Sequence, residues 1–149
     1  MMCHSLTREV TMIRVMEPKD IPQLAQLCLK SRRDTFHWVE PARCQLDDFE
    51  QQTAGEEIWI AEHGGNICGF IAIWKPDNFV HHLYVSTDWH GHGIGRALLE
   101  QGLATGPGSL KVATRNTAAV AFYHRLGWIE TEERGHCELT GPWCTLVKA

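Results

Sequence analysis

The 149-residue sequence has no long apolar run, no cluster of basic residues and no closely spaced pair of cysteines. The first absence argues against a membrane-spanning helix, which needs roughly 20 consecutive apolar residues. The second, with a formal net charge of −4, argues against a general nucleic-acid binder, because such proteins need cations to neutralise phosphates. The third removes the Cys-x-x-Cys spacing that is typical of structural zinc sites and redox sites.

The remaining composition is that of an ordinary globular protein, with 44% hydrophobic and 21% charged residues. Six cysteines are scattered along the chain. Because the N-terminal residues are polar and do not form the apolar core of a secretory leader, we interpret the cysteines as free thiols in a reducing cytoplasm. Length and composition predict a single domain over residues 1–149, in which residues 1–11 are left open as an N-terminal extension.

The glycine-rich segment 89–99 is the most informative motif, because it lies between an apolar strand-like run and a helix-like run. Glycines at alternate positions let the backbone approach a ligand, and the positive end of the helix dipole favours an anion there. The pattern therefore predicts a site for a phosphorylated ligand. It is not the dinucleotide fingerprint, which needs a third glycine where Arg96 stands, and the chain has no Gly-Lys-Ser/Thr of a P-loop.

A second motif, over residues 116–128, follows the glycine-rich segment. It begins at Asn116, contains the pair Phe122-Tyr123 and ends at Trp128. Together with residues 83–85 before the glycines, the two motifs resemble the GCN5-related N-acetyltransferase (GNAT) family. In that family the loop reads Gln/Arg-x-x-Gly-x-Gly/Ala, and His90 in the first position is the one departure.

The resemblance implies that the chain binds acetyl-CoA, with the diphosphate held by backbone N–H groups of the glycine-rich loop and with no metal. It also implies that the strand before the loop splays from its neighbour at a bulge, which frees backbone groups for the pantetheine arm and the thioester carbonyl. Asn116 is predicted both to cap its helix and to contact the coenzyme. The predicted coenzyme-binding residues are Leu83, Tyr84, Val85, His90, Gly91, His92, Gly93, Ile94, Gly95, Arg96, Asn116 and Tyr123.

Acetyl transfer to an amine needs a proton donor for the thiolate and a route for the amine proton. The resemblance assigns the role of proton donor to Tyr123. The alternative is that Tyr123 is a buried phenol bonded to a nearby carbonyl. His81 and His82 are candidates for the base, and strand alternation predicts that they lie on opposite faces. We slightly favour His81 as the base. The alternative that stays open is that both are ordinary hydrogen-bonded histidines of the sheet and that water is the base. Together with His90 and His92, these two histidines also suggest a zinc site, but their spacing fits no standard set of structural zinc ligands.

The polar-aromatic segment after the first predicted helix contains Phe36, His37, Trp38 and Glu40. In proteins similar to this one the region lines the acceptor site, and aromatic rings with a carboxylate can hold an amine through cation–π and charge contacts. The alternative is that Phe36 and Trp38 simply cover the sheet.

The order of predicted elements indicates an α+β fold, with a mixed, mostly antiparallel central sheet and helices on both faces. Asp20 is predicted to cap the first helix, with Pro22 in its first turn. Strands are predicted over residues 12–15, 58–61, 67–74, 79–86, 110–114, 128–132 and 144–147, and helices after Asp20 and over residues 43–53, 93–104 and 116–127. The last two strands are predicted to be joined by a loop that contains Gly135 and Gly141.

The sequence therefore predicts an acetyl-CoA-dependent N-acetyltransferase that moves an acetyl group to a primary amine by direct attack. A small-molecule acceptor is slightly favoured. The alternatives are a protein N-terminal or lysine acetyltransferase and a non-catalytic acetyl-CoA sensor. Exposed apolar residues near the C-terminus are also compatible with a homodimer.

Overall fold

The computed structural model describes residues 11–149, with only the backbone described for Thr11. It contains one seven-stranded sheet and four α-helices. The strands are β1 (Thr11–Val15), β2 (Glu57–His63), β3 (Asn66–Trp74), β4 (Phe79–Val85), β5 (Gly108–Ala113), β6 (Ile129–Cys137) and β7 (Gly141–Lys148). The helices are α1 (Ile21–Thr35), α2 (Asp48–Gln52), α3 (Ile94–Gly102) and α4 (Thr117–Arg125).

The strand order in the sheet is β1-β2-β3-β4-β5-β7-β6. Every neighbouring pair is antiparallel except β4 and β5, which are parallel. The predicted mixed, mostly antiparallel sheet is therefore confirmed. The segment 1–11, predicted as an extension, lies outside the described residues apart from Thr11.

Helices cover both faces of the sheet, as predicted. Each face carries its own apolar cluster because strand side chains alternate between the two sides of the sheet. The α1 and α2 face buries Leu24, Cys28 and Phe49 against Phe70. The α3 and α4 face buries a larger set that includes Ile71, Leu98, Leu110, Tyr123 and Leu146.

The closing hairpin is longer than predicted. Residues 133–137 belong to β6 and Gly141 belongs to β7, so the predicted loop through Gly135 is wrong. Gly135 lies in the strand opposite Trp143, and a Cβ at this position would overlap the indole ring. The glycine thus permits a close approach of the ring to the backbone.

The first two helices also differ from prediction. The helix α1 continues to Thr35 into the segment predicted as irregular, and the guanidinium of Arg32 is buried in an ion pair with Asp48 at 3.0 Å. The helix predicted over residues 43–53 is reduced to α2. Asp20 precedes α1 but does not cap it, because its carboxylate accepts hydrogen bonds from Arg14 and from the backbone N–H of Glu17.

Two irregularities in β4 open the sheet. On one side, β4 pairs with β5 only at Phe79 and Val80, and beyond Val80 the strands part. On the other side, Ala72 of β3 pairs with His82 and Ile73 pairs with Val80, so that His81 is the extra residue of a bulge. The predicted splay at a bulge is confirmed, and it leaves one backbone edge of β4 without a strand partner.

None of the described helices is long and apolar enough to cross a membrane. Five described cysteines are free thiols, namely Cys28, Cys44, Cys68, Cys137 and Cys144. Cys3 lies outside the described residues.

Candidate active site

A cleft of about 400 Å³ opens where β4 leaves β5. Its walls are one side of α1, the end of β4, the glycine-rich loop and the exposed side of α4. Among the predicted coenzyme residues, the cleft is lined by Leu83, Tyr84, Val85, His90, Gly91, Gly93, Ile94, Gly95, Arg96, Asn116 and Tyr123. The fold therefore brings together two motifs that are separate in the sequence.

The glycine-rich loop adopts a conformation that requires glycine at two points. Gly91 and Gly93 have φ of +83° and +76°, and α3 begins directly after Gly93. Such left-handed residues turn successive backbone N–H groups toward one side, and a helix N-terminus adds unpaired N–H groups. No protein atom lies within 4 Å of where a Cβ of Gly93 would stand, so this side of the loop is open to a ligand.

Two histidines tie the loop to its surroundings. The Nε2–H of His90 donates to the carbonyl of Val85 at 2.8 Å, which joins the loop to the end of β4. His92 does not line the cleft, because its Nδ1 is directed back to the carbonyls of Trp89 and His90 at 3.1 Å. His90, the departure from the family pattern, therefore positions the loop through the strand.

The helix α4 contributes Asn116 and Tyr123 to the cleft. The side chain of Asn116 accepts from the backbone N–H of Ala119 at 3.2 Å, so the predicted helix cap is confirmed. Tyr123 is buried, its ring lies edge-on to Trp128, and burial raises the pKa of its phenol above the ordinary value. No described residue hydrogen-bonds the Tyr123 hydroxyl. The structure therefore does not contain the alternative arrangement, in which the phenol is bonded to a nearby carbonyl.

Sequence reasoning missed the contribution of α1. Leu27, Lys30, Ser31 and Asp34 line the cleft, and Lys30 pairs with Asp34 at 2.9 Å. Their spacing of three, four and seven residues places them on one stripe of the helix. This helical spacing, beside the apolar stripe of α1, was the signal in the sequence that could have identified these residues as one surface. Arg96 and Arg125 add positive charge to the opposite walls.

The two candidate bases lie on the same face of the sheet, so the prediction of opposite faces is wrong. The bulge at His81 interrupts the alternation, and the two imidazole rings stack with centroids 4.1 Å apart. The Nδ1–H of His81 donates to Oε2 of Glu56 at 2.7 Å. Glu56 was also missed, and the sequence holds no signal for it because the contact depends on the register of two strands.

His82 differs from His81 in its surroundings. It is buried beside Phe70 and Tyr84, and no described residue hydrogen-bonds its Nε2. Burial, with the nearby His81 and Arg32 as smaller causes, lowers the pKa of His82 from 6.5 to about 3. No group of three or more His, Cys, Asp or Glu side chains within residues 11–149 is arranged to hold a metal ion.

The low pKa of His82 makes stability depend on pH. Below pH 6.5 the unfolded state binds a proton that folded His82 does not bind until pH approaches 3, so stability falls across this window as pH falls. We expect the free energy of unfolding to decrease less between pH 7.5 and pH 5 in His82→Leu than in the native protein, by roughly 2 kcal/mol. Urea unfolding at the two pH values measures the difference, and equal decreases in both proteins would contradict the assignment.

The segment predicted to line the acceptor site packs against the closing hairpin. The rings of Phe36 and His37 lie edge-on to Trp38, with centroids 5.5 and 5.1 Å away. The indole N–H of Trp38 donates to the carbonyl of Thr140 at 3.1 Å. The guanidinium of Arg115 stands 5.6 Å from the Trp38 ring centroid, so a cation of the protein already occupies that face. Neither these residues nor Glu40 line the cleft.

Comparison with known proteins agrees with this geometry. The family model described as Acetyltransferase (GNAT) domain matches residues 54–130, just over half of the chain. A curated relative, the 5-NmdU N-acetyltransferase of Pseudomonas phage PaMx11, is 35% identical over 89 residues. That alignment covers 54% of this chain and 64% of the phage protein, so the match extends over less than two thirds of the relative.

Solved structures share the fold over nearly the whole length. The apo form of YjaB from Escherichia coli superposes with a TM-score of 0.77 at 23% identity, covering 93% of this chain and 97% of that one. The PaiA N-acetyltransferase from Thermoplasma acidophilum, solved in complex with coenzyme A, gives a TM-score of 0.71 at 16% identity, with coverages of 91% and 97%. Because the family model matches more than half of the chain, the chain belongs to the GNAT family.

Proposed function

We propose that this protein transfers the acetyl group of acetyl-CoA to a primary amine by direct attack, with no acetylated enzyme. The observation that carries the proposal is that one cleft joins the glycine-rich loop, the unpaired edge of β4 and the phenol of Tyr123. None of the residues described as lining that cleft is a cysteine, which favours direct attack over a thioester on the protein.

The glycine-rich loop suits the diphosphate of acetyl-CoA, and the free edge of β4 suits its pantetheine arm. Backbone N–H groups between His92 and Arg96 would receive the diphosphate, which needs no metal when several donors converge on it. The cleft also carries Arg125, whose charge favours an anionic ligand, while the charge of Lys30 is offset by its ion pair with Asp34. The free edge of β4 would pair with the amide groups of the pantetheine arm, as a strand edge pairs with any extended amide chain. The thioester carbonyl would then lie beside the backbone of residues 83–85.

The reaction needs a C–N bond to form, the C–S bond to break and two protons to move. The amine nitrogen attacks the thioester carbonyl carbon, and backbone N–H groups of β4 stabilise the developing oxyanion. The departing thiolate takes a proton from the Tyr123 hydroxyl, a phenol that is protonated at neutral pH and whose pKa burial raises further. The proton of the attacking nitrogen passes to a base or to water.

His81 is the better of the two candidate bases. It does not line the cleft itself, but it lies two residues before Leu83, which does. With 37% of its side chain accessible, it would reach the acceptor through a bridging water. His82, with its pKa lowered to about 3, is too weak a base to take a proton from an ammonium group at neutral pH. We therefore assign the base role to His81 and a packing role to His82.

The acceptor proposed here is a small primary amine. The net charge of −4 favours cationic substrates, and the phage relative acts on 5-NmdU, as its name states. Protein N-termini and lysines are the alternative substrates. The free cysteines support a reducing cytoplasm as the compartment. Exposed Ile129 and Val147 on the last two strands support pairing of two copies.

A competition assay tests the acceptor class. The protein is incubated with acetyl-CoA and a panel of 5-NmdU, benzylamine, tyramine, free lysine and peptides with a free N-terminus or a single lysine. Release of CoA is followed by chromatography, since the cysteines of the protein would react with a thiol dye. We expect kcat/KM at least tenfold higher for one of the small amines than for any peptide, a difference of about 1.4 kcal/mol in transition-state binding. Acetylation of peptides alone would overturn the small-molecule assignment.

A non-catalytic acetyl-CoA sensor is the second candidate. It shares the cleft and differs only in turnover. The unbonded hydroxyl of buried Tyr123 favours the enzyme, because a protein that only binds the coenzyme has no use for a proton donor there. Binding of acetyl-CoA without any transfer to the panel would favour the sensor.

A further inference from the structure

The contact between Glu56 and His81 has no role in the chemistry described so far. The Nδ1–H of His81 donates to Oε2 of Glu56 at 2.7 Å, which is short for an N–H···O bond and typical of a carboxylate acceptor. The exposures of the two side chains differ, at 37% for His81 and 7% for Glu56. The buried carboxylate of Glu56 therefore fixes the orientation of the more exposed His81 ring.

The hydrogen bond decides which nitrogen of His81 carries the proton. A carboxylate cannot donate, so its partner nitrogen must be the protonated one. In the neutral imidazole Nε2 is then left with a free lone pair, and no described residue hydrogen-bonds it. An imidazole held in this tautomer is a base at Nε2, as in other sites where a carboxylate orients a histidine.

The bulge in β4 also restricts the His81 ring, because it brings the ring against His82. Because the extra residue in β4 places His81 and His82 on one face, their rings stack at an interplanar angle of 27°. The Phe79 ring is farther away, with its centroid 6.4 Å from that of His81. Glu56 thus sets the tautomer, while the stacked His82 ring limits the tilt of the His81 ring.

The second oxygen of the Glu56 carboxylate, Oε1, is buried and has no hydrogen-bond partner among the described residues. Asp20 shows the contrasting arrangement, because both of its buried oxygens accept from Arg14 and one of them also accepts from the backbone of Glu17. A buried oxygen left unpaired costs free energy, and such costs concentrate at functional sites.

We propose that Glu56 is a positioning residue, which holds His81 through Nδ1 so that Nε2 takes the proton of the attacking amine. The inference rests on the proposed function, since it concerns the base of that reaction. No bond forms or breaks at Glu56. The proton moves from the amine nitrogen to Nε2 of His81, and Glu56 stabilises the imidazolium that results.

A spectroscopic test is independent of activity. Nitrogen NMR of the histidine side chains of the full chain reports which ring nitrogen is protonated. We expect the neutral His81 ring of the native protein to carry its proton on Nδ1, and the Nε2–H form to increase in Glu56→Leu, which lacks the acceptor. Glu57→Leu is the matched control, because Glu57 is the next residue but its carboxylate accepts from Trp59 instead. An Nε2–H tautomer in the native protein, or equal tautomers in all three proteins, would overturn the proposal.

A kinetic test separates positioning from a structural role. With the best amine of the panel, Glu56→Gln and His81→Gln should each lower kcat by roughly tenfold or more. In Glu56→Gln the neutral amide no longer stabilises the imidazolium, and its NH2 group can donate to Nδ1 and favour the other tautomer. The double variant should be no slower than His81→Gln, because Glu56 acts only through that ring. Losses that multiply in the double variant would contradict the inference.

Two further readouts keep the outcomes apart. The melting temperature of Glu56→Gln should equal or exceed that of the native protein, because the substitution removes a buried charge with an unpaired oxygen. A lower melting temperature with a parallel loss of activity would make Glu56 structural. Failure of the proposed function would appear differently, as an absence of transfer by the native protein with every amine of the panel.

Discussion

Gly93→Asp should weaken the binding of acetyl-CoA by about 100-fold or more, which corresponds to about 2.7 kcal/mol. The new carboxylate would stand on the open side of the loop, among the N–H groups proposed to receive the diphosphate, and would repel it. Isothermal titration calorimetry of the native protein and the variant measures the change. Calorimetry needs no reporter group and avoids the thiols of the protein.

The hairpin between β2 and β3 provides the control. Gly65 has φ of +85°, close to the +76° of Gly93, and an added Cβ would meet no protein atom within 4 Å at either position. Gly65→Asp therefore carries the same backbone strain outside the cleft. The two variants should lose similar amounts of stability, on the order of 1 kcal/mol, while only Gly93→Asp loses coenzyme binding. Native affinity in Gly93→Asp would remove the loop from the coenzyme site.

Tyr123→Phe should lower kcat by roughly 100-fold with little change in the dissociation constant of acetyl-CoA. The substitution removes the hydroxyl that protonates the thiolate and keeps the ring that packs on Trp128. Steady-state kinetics with the best amine of the panel gives kcat, and calorimetry gives the dissociation constant.

The result can be separated from a loss of folding. No described residue hydrogen-bonds the Tyr123 hydroxyl, so its removal leaves no protein group unpaired and the melting temperature should hardly change. An unchanged kcat at saturating substrates would exclude Tyr123 as the acid. A fall in coenzyme affinity that matches the fall in kcat would make it a binding residue instead.

Local signals in the sequence predicted the parts of the site that depend on local structure. Gly91 and Gly93 mark left-handed turns, and Asn116 marks a helix start, because each of these residue types solves a backbone problem within a few positions. The strand before the loop and the helix after it were predictable for the same reason. These elements account for most of the cleft.

One group of errors comes from contacts that depend on strand register. The bulge at His81 reverses the alternation that had placed His81 and His82 on opposite faces, and no residue in the local sequence announces it. The sequence predicts Gly135 in a loop, whereas in the structure it permits a close approach by Trp143 of the neighbouring strand. Glu56 lies 25 residues from His81, so its role is visible only when β2 and β4 are in place.

The segment 36–40 shows a second kind of difference. Its aromatic residues suggested a cation–π site, and Trp38 does face a cation, but that cation is Arg115 of the same chain. Residue types alone do not tell whether a ring receives a ligand or a neighbour in the fold.

A single-turnover experiment with isotopically labelled acetyl-CoA tests the central claim most directly. The protein, in excess over the labelled donor, is mixed with the amine panel, and mass spectrometry follows both the small molecules and the intact protein. The account predicts that the label appears in one acetylated amine, in equal amount to the CoA released, while the mass of the protein stays unchanged throughout. Label that remains on acetyl-CoA with every amine would contradict acetyl transfer, and label on the protein before the amine is added would contradict direct attack.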